Sequence, residues 1–122
     1  MRPFGITSAP LLFDPPVVDF DLQGLRLEIG GKPREEPCWL PERPSSLPHL
    51  EGIPILIVTG EASYHSAYDH CTSGFLSAAG AKNTWLRLGV VGIHGNGHMM
   101  MIEKNNNEVA GAIYRWLIKS AS

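Results

Sequence analysis

The residues best placed to do chemistry lie in GIHGNGHMMM, residues 92–101, where two imidazoles stand four positions apart. A neutral imidazole takes up and releases protons near physiological pH, so His98 can act as a general base. The neighbouring glycines permit sharp backbone turns that let a ring stand free. A second stretch, GEASYH (60–65), supplies Glu61, whose carboxylate can accept a hydrogen bond from such a ring and fix its tautomer. Together the two stretches predict acid–base chemistry.

The same two histidines can also be interpreted as metal ligands. Ligands at positions i and i+4 share a face only in a helix, and the glycines between His94 and His98 make a helix unfavourable there. Asp69 and His70 are candidates for further ligands, but no four-ligand pattern is evident. The spacing G-x-x-G-x-G also differs from the dinucleotide-binding fingerprint. We therefore expect neither a metal nor a cofactor.

Both stretches follow short apolar segments that predict strands. Residues 53–59, IPILIVT, form a continuous aliphatic run, which is typical of a strand buried on both faces of a parallel sheet. Residues 84–88, TWLRL, predict a second strand. Between them, SAYDHCTSGFLSAAG (66–80) predicts a helix on which Gly80 is the C-terminal stop. NNNEVAGAIYRWLIKSA (105–121) predicts a terminal helix with an asparagine cap.

The order strand, helix, strand, loop, helix determines where the two stretches lie. A right-handed crossover makes the two strands parallel. Functional residues collect on the loops at the carboxyl ends of parallel strands. We therefore expect Glu61 and His98 to be presented side by side. The three methionines after His98 are interpreted as packing residues under this end of the sheet.

The first part of the chain has a different composition, because nine of the ten prolines lie before residue 49. Such a segment cannot hold a long helix or a central strand. LRLEI (25–29) is its best strand candidate, either half-exposed or at an edge. We predict a Pro-rich, irregular, lid- or linker-like segment over 1–52 and an α/β unit over 53–122. Trp39 is interpreted as an anchor of the irregular segment.

The composition limits the range of partners and compartments. Of the 122 residues, 43% are hydrophobic and 18% charged, which is typical of a globular domain. The formal net charge of −2 does not favour nucleic acid as a partner. No apolar run approaches the ~20 residues needed to cross a bilayer, and the N-terminus lacks a signal-peptide core. We therefore predict a cytoplasmic protein with no membrane partner, in which Cys38 and Cys71 are reduced.

Several motifs in combination resemble a known family. IPILIVTGEASYHSAYDHCTSGFLSAAG, together with NTWLRLGVVGIHGNGHMMMIEKNN and an amphipathic terminal helix, resembles the C-terminal part of an α/β-hydrolase family common in fungi and bacteria. GITSAPLLFDPP resembles the segment before it, so the resemblance covers essentially the whole chain. Members are esterase- or lipase-like hydrolases, and some are associated with fungal secondary-metabolite pathways. The resemblance implies a small ester or a polyketide-like acid as substrate.

The resemblance also implies roles for individual residues. His98 in GNGHMMM matches the catalytic histidine. Glu61 is the best match for the acid, and Asp69, within the helix pattern and further from the strand end, is the alternative. On this interpretation His65 lies at the rim of the site and His70 on the helix surface.

The nucleophile of this family has no counterpart in the chain. The family places its serine in a G-x-S-x-G elbow upstream of the acid and the histidine. None of four serines upstream of His98 has the context of strand, sharp turn and helix; these are Ser8, Ser45, Ser46 and Ser63. We expect the chain to correspond to roughly the last third to half of such an enzyme. Two hypotheses follow: a serine-type ester hydrolase, or a non-catalytic remnant that binds a partner or itself across an exposed sheet edge.

Overall fold

The computed structural model describes Asp14, Leu25–Glu28, Cys38–Pro41 and residues 45–121, with side chains for Asp14, Cys38 and 45–121. In chain order the main elements are β1 Leu25–Glu28, β2 Cys38–Pro41, β3 Ile55–Thr59, α1 Asp69–Ala78, β4 Asn83–Arg87 and α2 Asn106–Ala121. Short 3-10 helices span Pro48–Leu50, Tyr64–Ala67 and Met100–Ile102. No helix in this described part is both long and apolar enough to cross a membrane. The predicted roles of Ser8 and of the Trp39 side chain fall outside what is described.

The two strands predicted from the aliphatic runs pair in parallel, as the crossover rule requires. β3 and β4 run in register from Ile55 opposite Asn83 to Thr59 opposite Arg87. The first strand begins later than predicted, after Pro54, which has no backbone N–H for a ladder. The prediction that this strand is buried on both faces is wrong: only Thr59 is buried, and the four residues before it are half-buried. Within the described residues the sheet has two strands, so both of its edges are open.

Helix α1 is shorter than its apolar pattern predicts because its first turn is replaced by a 3-10 helix. The Ser63 side chain caps that 3-10 helix by accepting a hydrogen bond from the His65 N–H at 3.1 Å. The other end stops as predicted at Gly80, which adopts a φ of +82°. The backbone N–H groups of Gly80 and Ala81 donate to the carbonyls of Ser77 and Leu76, which is the Schellman pattern of a helix C-terminus.

A small apolar cluster packs α2 against the loop that follows β4. Its buried members are Leu88, Ile93, Met100, Val109 and Ala112. Of the three methionines, only the middle one packs as predicted, since Met99 and Met101 are 56% and 58% exposed. Leu117 continues the apolar pattern of the terminal helix in the sequence, but its side chain is 51% exposed. The buried face of α2 therefore ends before this residue. The last turns of α2 therefore present apolar side chains to solvent.

The Pro-rich segment is attached to the α/β unit by a covalent bond. Cys38 of β2 and Cys71 of α1 form a disulfide with a Cα–Cα distance of 5.3 Å, so the prediction of reduced cysteines is wrong. The predicted strand over 25–29 is confirmed as β1, which pairs antiparallel with β2. Backbone hydrogen bonds add to the attachment, including one from the Leu47 N–H to the Ala79 carbonyl at 2.9 Å. The division between residues 52 and 53 remains a prediction.

The disulfide should contribute substantially to stability. It closes a loop with a sequence separation of 33 residues, and such a loop corresponds to about 3–4 kcal/mol on the chain-entropy estimate. We expect the double substitution Cys38→Ser with Cys71→Ser to lower the free energy of unfolding in urea by that amount. Reductant should have the same effect on the wild type and none on the double variant. Equal urea midpoints for the oxidised and reduced wild type would contradict this expectation.

Candidate active site

The two loops predicted to lie side by side meet at the carboxyl end of β3 and β4. The Ala62 N–H donates to the carbonyl of Asn96 at 2.9 Å, which joins the loop after β3 to the loop after β4. Gly60 lies under this contact. A Cβ atom on Gly60 would collide with the carbonyl oxygen of Asn96 and lie 2.8 Å from that of Gly97. The close approach of the loops therefore requires glycine at this position.

The loop that carries His98 is also held from the side of α2. Asn96 is 1% exposed, and its side-chain amide exchanges two hydrogen bonds with that of Asn105, at 2.6 and 2.9 Å. The Gly97 N–H donates to the Glu103 carboxylate at 2.9 Å. Asn105 is half-buried, and a buried amide whose donor and acceptor are both paired, as in Asn96, fixes the loop that carries it. The backbone immediately before His98 is therefore fixed.

The ring of His98 is exposed and is contacted by two other rings. It stacks on His65, with ring centroids 4.3 Å apart and an interplanar angle of 7°. Tyr64 makes a tilted contact with it at 5.2 Å. Among the described residues, no hydrogen bond to the His98 ring is present. Its nitrogens are therefore available to a substrate, as a general base requires.

The structure gives Glu61 a histidine partner, but the partner is His94. His94 Nδ1 donates to one carboxylate oxygen at 2.8 Å, and the Gly95 N–H donates to the other at 3.3 Å. Glu61 and His98 thus lie on adjoining loops without a hydrogen bond between them. The hydrogen bond from His94, followed by that from Gly95, lowers the pKa of Glu61 below its usual value of 4.5. Both members of the pair are largely exposed.

Asp69, the alternative acid, belongs to a second and more buried histidine–carboxylate pair. It is 5% exposed, and His65 Nδ1 donates to its Oδ1 at 3.1 Å. The Thr59 hydroxyl donates to Oδ2 at 2.6 Å and accepts a hydrogen bond from the Trp85 indole N–H at 2.9 Å. Asp69 therefore touches the last residue of β3, although along the sequence it is ten positions from it. Asp69 lies within the helix and further along the sequence from the strand end than Glu61, as predicted, but its side chain still reaches that strand end.

This pair was not recognised from the sequence, although a signal was present. His65 and Asp69 are four positions apart, a spacing that brings side chains together on a helical face. The 3-10 helix that leads into α1 keeps that proximity. His65, expected only at the rim, is thus part of the hydrogen-bonded framework. His70, expected on the helix surface, is half-buried and lies beside Trp85, with ring centroids 6.3 Å apart.

The described residues bring one group of metal-ligand side chains together, away from the His94–His98 pair. The donor atoms of Cys38, His70 and Cys71 lie within 4.8 Å of one another. The two sulfur atoms are bonded to each other, however, and a metal ligand must be a thiolate. The group is therefore not a metal site while the disulfide is intact.

The contact under Gly60 can be tested with a matched pair of glycine substitutions. We expect Gly60→Ala to lower the free energy of unfolding by about 1–3 kcal/mol, because the methyl group has no room beside two carbonyl oxygens. Gly74→Ala, inside α1 with open space around it, should instead raise that free energy by about 0.5–1 kcal/mol. Urea unfolding measures both. Equal effects of the two substitutions would show that the loops do not approach as described.

The Glu61–His94 pair predicts a pH dependence with a defined sign. Because the folded-state pKa of Glu61 is lowered, the pair stabilises the loops above pH 4.5 and loses that effect as the pH falls through the lowered pKa. We expect the carboxyl 13C resonance of Glu61 to titrate below 4.5 in the wild type and closer to 4.5 in His94→Ala. His49→Ala, a substitution at an exposed histidine elsewhere, is the control. An unchanged midpoint in His94→Ala would contradict the pairing.

The chain is similar to a known protein over nearly its whole length. It is 38% identical over 120 residues, 97% of its length, to the probable secreted lipase phiG of a fungal species (strain ATCC 74256). The chain spans about a third of that relative, 33% of its length. No protein-family model matches the sequence. No solved structure matches it significantly.

This similarity corrects one prediction and supports others at a coarser level. The relative is a probable secreted protein, and the Cys38–Cys71 disulfide fits an oxidising compartment. The prediction of a cytoplasmic protein is therefore wrong. It rested on the lack of a signal-peptide core, and the reduced state of the cysteines was in turn inferred from that compartment. The small α/β arrangement of two parallel strands and two helices is compatible with part of a larger α/β fold. Over almost all of its length, the chain is thus similar in sequence to a lipase-like hydrolase.

Proposed function

We propose that the chain supplies the histidine and the acid of an ester hydrolase with an α/β-hydrolase fold. The observation that carries the proposal is the exposed ring of His98, held on a fixed loop at the carboxyl end of two parallel strands. That edge is where catalytic groups collect in parallel α/β proteins. The similarity to a probable secreted lipase supports the same activity.

In the proposed reaction His98 carries the proton. Its free ring nitrogen removes a proton from the attacking oxygen, of a serine or of water, as that oxygen adds to the ester carbonyl. The same nitrogen then returns the proton to the departing alcohol oxygen when the bond between the carbonyl carbon and that oxygen breaks. Small esters or related acyl compounds are the proposed substrates. A place for such an ester in fungal secondary metabolism is also proposed, on the sequence resemblance alone.

Glu61 is the proposed acid and Asp69 the alternative. Glu61 lies on the loop that adjoins that of His98, and its present partner is an exposed side chain that solvent can replace. Asp69 already accepts hydrogen bonds from Thr59 and His65 with its two oxygens. Turning Glu61 toward His98 therefore breaks one exposed ion pair, whereas turning Asp69 breaks two hydrogen bonds to a buried carboxylate.

The second candidate function is the binding of a partner chain, or of a second copy, across the open sheet edge. The half-buried aliphatic side chains of Ile55 to Val58 favour it, since two-stranded sheets are rarely stable by themselves. The exposed apolar side chains of Tyr114, Leu117 and Ile118 on α2 add to the surface that a partner would cover. On this hypothesis the loss of His98 has no effect on the function.

Hydrolysis of p-nitrophenyl butyrate tests the catalytic proposal. Because the sequence contains no G-x-S-x-G serine, water is the attacking group in this assay, and we expect the purified chain to hydrolyse the ester above the buffer rate. His98→Ala should lower that rate by a factor of roughly 100 or more, the usual contribution of a general base. His49→Ala should leave it unchanged. Loss of activity in Glu61→Gln then identifies Glu61 as the acid that acts with His98, and full activity in that variant leaves Asp69.

The outcomes separate the two candidates. Equal rates for the wild type, His98→Ala and His49→Ala contradict a catalytic role of His98. If the wild type is folded by circular dichroism and hydrolyses nothing, the catalytic proposal fails for this chain. Association in a sizing column that is independent of His98 then supports the binding hypothesis. A monodisperse monomer with a sharp unfolding transition counts against it.

A further inference from the structure

We propose that His65 is a positioning residue for His98, and that Asp69 holds His65 in place. The inference rests on the proposed function, in which His98 is the base. An exposed histidine can rotate about two side-chain torsions, and its second torsion has no sharp preference. Something must select one ring orientation if the nitrogen is to meet a substrate. Within the described residues His98 makes no side-chain hydrogen bond, but its ring contacts those of His65 and Tyr64.

The stacking of His65 on His98 is suited to that task. The planes of the two stacked rings are nearly parallel, 7° apart, at a centroid distance of 4.3 Å, so rotation of His98 about its second torsion would drive its edge into the His65 face. Tyr64 contacts His98 from a different angle, 55° between the planes. The two contacts restrict the ring while leaving both nitrogens without a hydrogen-bond partner in the described structure.

His65 can position another ring only if it is itself immobile. Its Nδ1 donates to Asp69, and the other oxygen of Asp69 accepts from Thr59 at 2.6 Å. Trp85, on the neighbouring strand, donates to the same Thr59 oxygen. The hydrogen bonds thus run from β4 through β3 to α1 and end at His65. Both carboxylate oxygens are satisfied, which makes the orientation of the histidine specific.

Burial distinguishes this pair from the other histidine–carboxylate pair. The side chains of His65 and Asp69 are 28% and 8% exposed, whereas those of His94 and Glu61 are 65% and 48% exposed. Exposed pairs are screened by water and salt and hold their geometry weakly. Of the two, the Asp69–His65 pair is the one able to serve as a rigid support. Glu61–His94 joins two loops but does not touch the His98 ring.

Two substitutions at one position separate the ring contact from its anchor. His65→Gln keeps an N–H that can donate to Asp69 but removes the ring. His65→Phe keeps a ring that can stack but leaves the Asp69 oxygen without its donor. We expect His65→Gln to move the imidazole 1H–13C resonances of His98 furthest and His65→Phe to move them less. The His98 resonances are assigned by their loss in His98→Ala, and His49→Ala is the control.

Ester hydrolysis supplies the second readout. In His65→Gln we expect kcat to fall roughly tenfold to a hundredfold with little change in KM, because misplacing a reacting group by about 1 Å costs that much. His65→Phe should retain an intermediate kcat. A merely structural role would lower the urea midpoint of both variants while leaving kcat and the His98 resonances of the folded protein unchanged, and that result would overturn the inference.

Failure of the inference and failure of the proposed function are distinguishable. If hydrolysis depends on His98 but is equal in wild type and His65→Gln, with unmoved His98 resonances, the positioning role is wrong and the proposed function stands. If the wild type hydrolyses no ester, the proposed function fails. In that case the resonances still decide, since their displacement in His65→Gln supports ring placement by His65 and their constancy refutes it.

Discussion

The parallel, in-register pairing of β3 with β4 determines where every candidate functional side chain lies. Because both strands run in the same direction, the loops that follow them emerge at one edge and contact each other. An antiparallel pair would have placed these loops at opposite ends of the sheet. The close contact under Gly60 and the hydrogen bond between Ala62 and Asn96 follow from that direction. The stacking of His98 on the His65 ring depends in turn on this contact.

The edge holds two imidazole–carboxylate pairs that differ in physical character. Glu61 and His94 bridge the loops in contact with solvent, where the pair is exchangeable. Asp69 and His65 are anchored to the sheet through Thr59, where the carboxylate is shielded from water. His98 stacks on the ring of His65 and, among the described residues, has no hydrogen bond to either pair. An exposed imidazole thus lies against a rigid support, and the proposed catalytic role of His98 would match the division between reacting and supporting groups that a designed site requires.

The sequence was sufficient for features governed by short-range rules. The aliphatic run before Gly60, the crossover rule and the stop at Gly80 predicted the strand direction, the adjacent loops and the helix end, and all three are confirmed. The histidine partner of Glu61 could not be predicted. It depends on the path of a glycine-rich loop, and the backbone angles of glycine are not restricted by a side chain. The Asp69–His65 pair required the exact junction of a 3-10 helix with α1. The disulfide joins residues 33 positions apart, one in the Pro-rich segment and one in α1, and no short-range rule relates the two.

The disulfide in α1 lies close to the carboxylate that supports His65, so the redox state of the surroundings bears on the order of the site. Cys71 lies two residues after Asp69, so the covalent bond and the carboxylate that holds His65 share the first turn of the same helix. Helix ends fray more readily than helix middles. A cross-link in the first turn opposes fraying where Asp69 needs a fixed backbone. The disulfide bond therefore also restrains this turn of the helix. The order of the site thus depends on whether the two cysteines are oxidised.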